Sequence, residues 1–252
     1  MSSAVTAREE YEHASKTYDT ITEISGGVLE GQLISIALGN VEGQSVLDLG
    51  GGTGIHARRA IDAGAKIVDI IDISPEMMKI ANDAEAALGR EGRLRCFEAD
   101  VSKPLDHLEL GQYDVVMANW VFDHAGTIEI LEGMWKNIAA YLKPGGKFVG
   151  VRVADLLSPT VQTNQYGVSF DNYREIPGGY NYTVTVHSDP IFAFEAASLR
   201  ISYGGSFELH EKYGLDAHLV PYESTEVYKK DPKFWEPFMK SPYLAVVLGT
   251  KK

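Results

Sequence analysis

The stretch VLDLGGGTGIHARRAIDAGAKIVDIIDIS, residues 46–74, decides the fold. It opens on an apolar strand and meets Gly50, Gly51, Gly52 and Gly54 within five positions. A helical segment follows, and then a second apolar strand ending in Asp72. Glycine loses more conformational freedom on folding than any other residue. A run of glycines between strand and helix therefore means that something requires bare backbone there.

The rest of the chain repeats this alternation. Downstream, 74–88 reads as a helix with Ser74 as N-cap, Pro75 at its first position and Gly89 past its end. Strands are expected at 45–50, 66–73, 93–100, 113–120 and 147–153, with helices at 55–63 and 127–142, the latter stopped by KPGG at 143–146. Strands separated by helices of this length imply right-handed βαβ units and a parallel sheet covered on both faces, an α/β fold. Upstream, residues 7–19 and 27–39 read as helices. After Asp155 the pattern changes to aromatics and turn formers: YGVSFDNYRE and YNYTVTVH read as two short strands around Pro-Gly-Gly. Helix and strand signals return after residue 200.

Composition bounds the function. The 252 residues are 44% hydrophobic and 23% charged, the range of a globular protein. The net charge of −12, with only the short basic groups HARR and YKK, speaks against nucleic acid, whose phosphates call for a basic stripe. No apolar run approaches the ~20 residues of a membrane helix. The polar, acidic opening MSSAVTAREEYEHASKTYD is expected to be neither a secretory nor a transit segment, and a cytoplasmic setting is the expectation. Cys96, the single cysteine, is expected to be a buried, inert thiol. His187, His210 and His218 lack ligand spacing, so no metal site is expected.

Which ligand do the glycines expect? A P-loop needs Gly, four residues and then Gly-Lys-Ser/Thr, and no lysine follows here. A dinucleotide fingerprint needs Gly-x-Gly-x-x-Gly/Ala, but the sixth position counted from Gly50 is Ile55. Asp72 suits a ribose diol under either scheme. Asp48 discriminates: an acid just ahead of Gly50, Gly52 and Gly54 is a poor neighbour for pyrophosphate and a reasonable one for an ammonium and a sulfonium.

VLDLGGGTG resembles the first motif of class I S-adenosylmethionine-dependent methyltransferases. The likeness continues in order through IDIS with Asp72, EADV with Asp100 and Val101, YDVVMANWVFDH and LKPGGKFV. It looks closest to the branch acting on small molecules, the ubiquinone-type and secondary-metabolite enzymes. The resemblance implies a Rossmann-like seven-stranded sheet with helices on both faces, an N-terminal helical segment and an inserted antiparallel element after strand 5. It implies a single domain, with a helical cap at 1–44, a cofactor-binding core at 45–153, a substrate-side insertion at 155–200 and closing elements at 201–252.

The resemblance also implies S-adenosylmethionine as cofactor, released as S-adenosylhomocysteine. Asp48, Gly50, Gly51, Gly52 and Gly54 would hold its methionine end, and Asp72 the ribose, with Ile73 and Met77 following. Asp100 and Val101 would hold the adenine. Asn119 and Trp120 lie where the methyl should point, and Tyr18, with Tyr11 as a rival, would close the cap over the cofactor. Core packing of either tyrosine remains the alternative.

The sulfonium is itself the electrophile, so neither a protein nucleophile nor a metal is required. Where the acceptor must lose a proton, His124 is the candidate base, with Asp123 beside it; capping the next helix is the alternative for His124. Tyr166, Phe170, Tyr173, Tyr180 and Tyr182 are expected to wall a flat acceptor, or else to pack on the sheet or on a dimer partner. The partner expected is a small molecule, with neither nucleic acid nor membrane, and the assembly a monomer or homodimer. A chain that holds the cofactor without transferring its methyl would show the same site, whereas intact Asp48, Gly50, Gly52, Gly54, Asp72 and Asp100 speak against a degenerate fold serving as a binding partner.

Overall fold

The computed structural model describes residue 8, residues 15–203 and residues 205–252. Most of the helix expected over 7–19, with Tyr11, lies outside them. Its expected end is instead a 3₁₀ turn at Tyr18–Thr22. There Thr20 Oγ1 donates to the Thr17 carbonyl (2.6 Å) and Thr22 Oγ1 to that of Asp19 (2.8 Å). Hydroxyls that bond nearby backbone in this way compete with a regular helix.

The ordered elements are α1 (Ser25–Leu38), β1 (Ser45–Leu49), α2 (Ile55–Asp62), β2 (Ile67–Asp72), α3 (Pro75–Ala87), β3 (Leu94–Glu98), β4 (Tyr113–Asn119), α4 (Ile128–Tyr141) and β5 (Leu142–Val153). Then follow β6 (Val168–Ile176), β7 (Gly179–Val186), β8 (Phe192–Leu199), α5 (Glu208–Lys212), β9 (Leu215–Leu219), α6 (Glu226–Lys230), α7 (Glu236–Lys240) and β10 (Leu244–Lys251). Seven strands form one sheet in the order β3-β2-β1-β4-β5-β10-β9, with β10 antiparallel to both its neighbours and the first five strands parallel. The order reverses between β1 and β4, the switch point at which open α/β sheets bind ligands.

Both faces are covered, as a parallel sheet requires. Val46, Val68 and Val115 pack with Leu29, Leu33, Ala57 and Met78 of α1 to α3. On the other face Leu47, Ile71 and Val116 pack with Leu131, Met134, Trp135 and Ile138 of α4. Ser74 and Thr127 cap α3 and α4, accepting from the backbone of Met77 and Ile130.

Three expectations are corrected here. Strand β5 begins directly at Leu142 instead of after KPGG: Tyr113 pairs with Leu142 and Val115 with Lys147, so 143–146 bulge from an already paired strand. The insertion has three strands, in the order β6-β7-β8, where two were expected. A lone hairpin is marginal in water, and a third strand supplies the missing face. Cys96 is half-buried, its thiol pushed up to about 11 by desolvation.

No helix among the described residues is long and apolar enough to cross a membrane.

Candidate active site

The site grows from the carboxyl ends of four adjacent strands. Beyond β1 the chain turns through Gly50 (φ +71°) and Gly52 (φ +53°), a left-handed backbone that side chains rarely adopt. A Cβ on Gly50 would also lie 2.9 Å from Val121 Cγ2. Asp72, at the tip of β2, fixes this loop: its Oδ2 accepts from the backbone N of Gly52 (2.8 Å) and its Oδ1 from that of Ser74 (2.9 Å). Desolvation still raises its pKa, against the pull of those amides. Beyond β3, Asp100 Oδ1 accepts from the Ser102 amide at 2.9 Å. Asn119 ends β4.

These tips line one cavity of about 300 Å³, shared by Tyr18, Gly50, Gly52, Asp72, Ile73, Met77, Asp100, Val101, Asn119, Trp120 and His124. Sequence reasoning missed Ala99, Ser102, Lys103, Val121, Ile130 and Met134, which also line it. The spacing of Ile130 and Met134, one turn apart on α4, was the available signal; it reads equally well as core.

Asp48 and Gly54 do not line the cavity. Asp48 lies under the loop, 1% exposed, and neither carboxylate oxygen has a hydrogen-bond partner among the described residues. Burial, and then Asp72, push its pKa up to about 7. The side-chain amide of Asn119 likewise has no partner for its nitrogen or its oxygen.

Two smaller recesses open beside the cavity, and Tyr18 and Trp120 line all three. One recess, of about 40 Å³, runs past Gly51 and Thr53 to Glu30, His56 and Arg59. The other, of about 50 Å³, is an inner chamber walled by the three-stranded sheet, with Phe170, Tyr182, Val184, Phe194 and Ala196 facing Ile21, Glu30, Asp123 and His124. Gly51 therefore borders the side recess, not the main cavity.

Trp120 is the partition. Its backbone is left-handed (φ +60°, ψ 0°), unusual for an aromatic residue and a strain of roughly 1–3 kcal/mol. Two contacts hold it: its backbone N to the Val151 carbonyl (3.0 Å) and its Nε1 to Glu30 Oε2 (2.8 Å). Glu30 in turn meets His56 Nε2 at 3.4 Å, and Arg59 Nη1 lies 3.1 Å from His56 Nδ1.

The turn bearing Tyr18 is tied to both sides. Arg58 bridges Asp19 (3.1 Å) and the Thr53 carbonyl (2.6 Å), while Thr20 bonds Ser188 (2.8 Å) and Tyr18 packs 6.0 Å from Phe192. Burial, then Glu30, Asp72 and Asp19, hold the Tyr18 phenol well above its usual range.

The expected aromatic wall is divided. Phe170 and Tyr182 face the chamber. Tyr166 stacks on Trp235 at 5.0 Å and donates to the Phe234 carbonyl at 2.9 Å, as part of the core. Tyr173 donates to the Leu156 carbonyl at 3.0 Å, and Tyr180 lies under the Arg200 guanidinium, 5.1 Å from its ring. Neither lines the chamber. Phe194, on the unforeseen third strand, does, with its ring 6.3 Å from His124.

Two titratable neighbours, Asp123 and His124, line the chamber. His124 lines the main cavity as well, and desolvation lowers its pKa to about 4. Asp123, 4% exposed, accepts from Ser198 Oγ at Oδ1 and from the Val153 amide (3.4 Å) at Oδ2. Burial raises it to about 7, against the hydrogen bonds from Ser198 and Val153 and the charge of Arg152.

This sheet order and its strand-tip cavity define the fold of S-adenosylmethionine-dependent methyltransferases. Residues 46–146 match the family model described as a methyltransferase domain. The CcbJ methyltransferase from Streptomyces caelestis has the same fold, with a TM-score of 0.65 at 19% identity over 99% of each chain. The magnesium protoporphyrin IX methyltransferase (ChlM) from Synechocystis PCC 6803, with bound SAH, gives 0.59 at 18% identity over 99% of each. The ribosomal protein L11 methyltransferase from Vibrio cholerae is 34% identical over 122 residues, 48% of this chain and 38% of that protein. The chain spans less than half the length of the curated relatives it matches.

Proposed function

We propose that this chain binds S-adenosylmethionine in the large cavity and methylates a small molecule whose reacting end enters the inner chamber. One observation carries the reading: the tips of four adjacent strands meet in a single cavity that shares Trp120 with a chamber walled by rings, aliphatic side chains and two carboxylates.

The residues fit the cofactor. Asp48 and Asn119 keep buried polar atoms without partners among the described residues, and such atoms cost free energy until something satisfies them. A cation above Asp48 would reverse the desolvation that raises its pKa. Asp72 is placed for the ribose hydroxyls, since the backbone bonds from Gly52, Ser74 and Ile73 leave its carboxylate with acceptor capacity to spare. Ile73, Met77, Ala99 and Val101 offer an apolar slot for a purine, with Asp100 at its edge. The recess beside Thr53, His56 and Arg59 suits an amino-acid group.

When bound, S-adenosylmethionine supplies a methyl group already activated on a sulfonium. The chain supplies position: alignment of acceptor and methyl is worth several kcal/mol, up to roughly 7–11. Tyr18 and Trp120 stand at the boundary of all three spaces, where they exclude water and set the line of approach. The small-molecule assignment rests on the chamber's small volume, about 50 Å³, and on the net charge of −12. The same reading takes the chain as one unit, with 155–200 as its substrate side.

Equilibrium dialysis with labelled S-adenosylmethionine tests this. One molecule bound per chain, displaced by S-adenosylhomocysteine and not by NADH, is the expected result. Retention of NADH, or of neither compound, would overturn it. With methyl label and an acceptor in hand, label appearing in product separates transfer from a role in which the cofactor stays intact.

A further inference from the structure

The inner chamber carries acids and aromatics and no fixed cation. Among the described residues that line it, Glu30 and Asp123 are carboxylates, and Tyr18, Trp120, Phe170, Tyr182 and Phe194 present aromatic rings. No lysine or arginine lines it. Aromatic faces and carboxylates attract ammonium groups and repel anions.

A hydrogen-bond chain ends on one of these acids. Ser198 Oγ donates to Asp123 Oδ1, so its single proton is spent there, and Tyr182 Oη, 2.8 Å from Ser198 Oγ, donates to it in turn. Ser198 and Tyr182 are buried, and Tyr182 and Asp123 both line the chamber. The relay fixes the carboxylate in the chamber wall, next in the chain to His124, which lines both chamber and cavity.

We infer that Asp123 is the catalytic base of this site and that the acceptor it serves is a small primary or secondary amine. The inference rests on the proposed methyl transfer. Asp123 takes one N–H proton from the ammonium, and the nitrogen lone pair so freed forms the N–CH3 bond. The methyl–sulfur bond breaks as that bond forms, with its electron pair left on sulfur. The methylated nitrogen, now again a cationic ammonium, neutral S-adenosylhomocysteine and a protonated Asp123 remain.

Asp123 is better suited to this than His124. Burial shifts the two in opposite directions, Asp123 up to about 7 and His124 down to about 4, so the acid binds a proton more tightly than the imidazole beside it. The groups facing Asp123 are Ser198 and Tyr182 of the three-stranded sheet, Tyr203 beyond it and Arg152 of β5. Arg152 favours the charged form but is committed elsewhere, donating from Nη1 to the carbonyls of Ser202 (2.9 Å) and Ser206 (2.6 Å).

The test uses the full chain loaded with S-adenosylhomocysteine and three probes of one shape: benzylamine, benzyl alcohol and benzoate. Calorimetry is expected to give benzylamine the highest affinity and benzoate the lowest. Benzylamine binding should strengthen as pH rises through about 7. Asp123→Asn should weaken benzylamine at least tenfold and flatten that pH profile, while S-adenosylhomocysteine affinity stays within twofold.

Ser198→Ala keeps the carboxylate and removes a hydrogen bond to its charged form, so it should move the midpoint to higher pH. It serves as the second variant if Asp123→Asn fails to fold. Benzoate binding as well as benzylamine, no probe binding at millimolar concentration, or an unchanged pH profile in both variants would overturn the inference. Cofactor binding, measured separately, would survive any of these results and fails only if the methyltransferase reading itself fails.

Discussion

The cofactor cavity and the inner chamber share Tyr18, Trp120 and His124 but are built on opposite principles. The cavity is made of backbone and short polar side chains at strand ends, where the parallel sheet leaves amides and carboxylates pointing outward. The chamber is made of side chains from the three-stranded sheet, α1 and the turn after β4, closed by rings. On the proposed reading the first would hold a fixed ligand largely through the loop after β1 and the carboxylates at the strand tips. The second can change its acceptor by exchanging a ring without disturbing the loop that holds the cofactor.

This contrast can be broken or sharpened by substitution. The largest effect belongs to the packing behind the chamber. Tyr166→Ala removes a buried ring stacked on Trp235 and should cost roughly 3–5 kcal/mol of stability in denaturant titration. Affinity for S-adenosylhomocysteine in the folded variant should not change. A loss of affinity there would mean that chamber and cavity do not act separately.

Next comes Asp72→Ala. It strands the Gly52 and Ser74 amides and removes the proposed ribose contact, so S-adenosylhomocysteine should bind about a hundredfold more weakly, ~3 kcal/mol. Calorimetry with a parallel melting curve separates this from loss of fold.

Smaller is the effect of pH on the ligand-free chain. Asp48 rises from the usual carboxylate value to about 7 on folding, so between about pH 4 and 7 the folded state binds the extra proton. Stability from this group is complete below the unfolded value and is lost as pH climbs through the folded one, by up to ~1.4 kcal/mol per pH unit. Asp48→Asn should flatten that slope in chemical denaturation. It should also lower affinity for cationic S-adenosylmethionine more than for neutral-sulfur S-adenosylhomocysteine. Equal losses would remove Asp48 from any role toward the sulfonium, since both ligands carry the same ammonium.

Smallest is Trp120→Phe, which keeps the ring but breaks the bond to Glu30. About 1 kcal/mol of stability should be lost, with several-fold weaker binding in both spaces. An effect confined to one of them would deny Trp120 its position as shared wall.

The same contrast explains what the sequence made legible. Asp72, Asp100 and Asn119 fall at or next to the ends of expected strands and Asp48 two residues ahead of Gly50, so the alternation of strands and helices placed them at one edge of a sheet. A seven-stranded sheet with helices on both faces followed from the family resemblance, and the structure has it.

The chamber was hidden for two reasons. Its members are far apart in the chain: Ile21, Glu30, Asp123, Phe170 and Phe194 share no motif. Their residue types are also those of an ordinary core, so nothing local separates Phe170, which faces the chamber, from Tyr166, which packs on Trp235. Glu30 looked like one more surface acid of α1, yet it is 7% exposed and holds the indole of Trp120. Strand β8 went unread, and Phe194 with it. Asp123 was noticed only as a neighbour of His124, because burial is what sets the two apart.

Calorimetric titration of three proteins with S-adenosylhomocysteine tests the central claim most directly: the unaltered chain, Asp72→Ala and Asp123→Asn. One site per chain is expected, weakened about a hundredfold by Asp72→Ala and within twofold of the unaltered value in Asp123→Asn. No binding to the unaltered chain, or an affinity indifferent to Asp72, would contradict it.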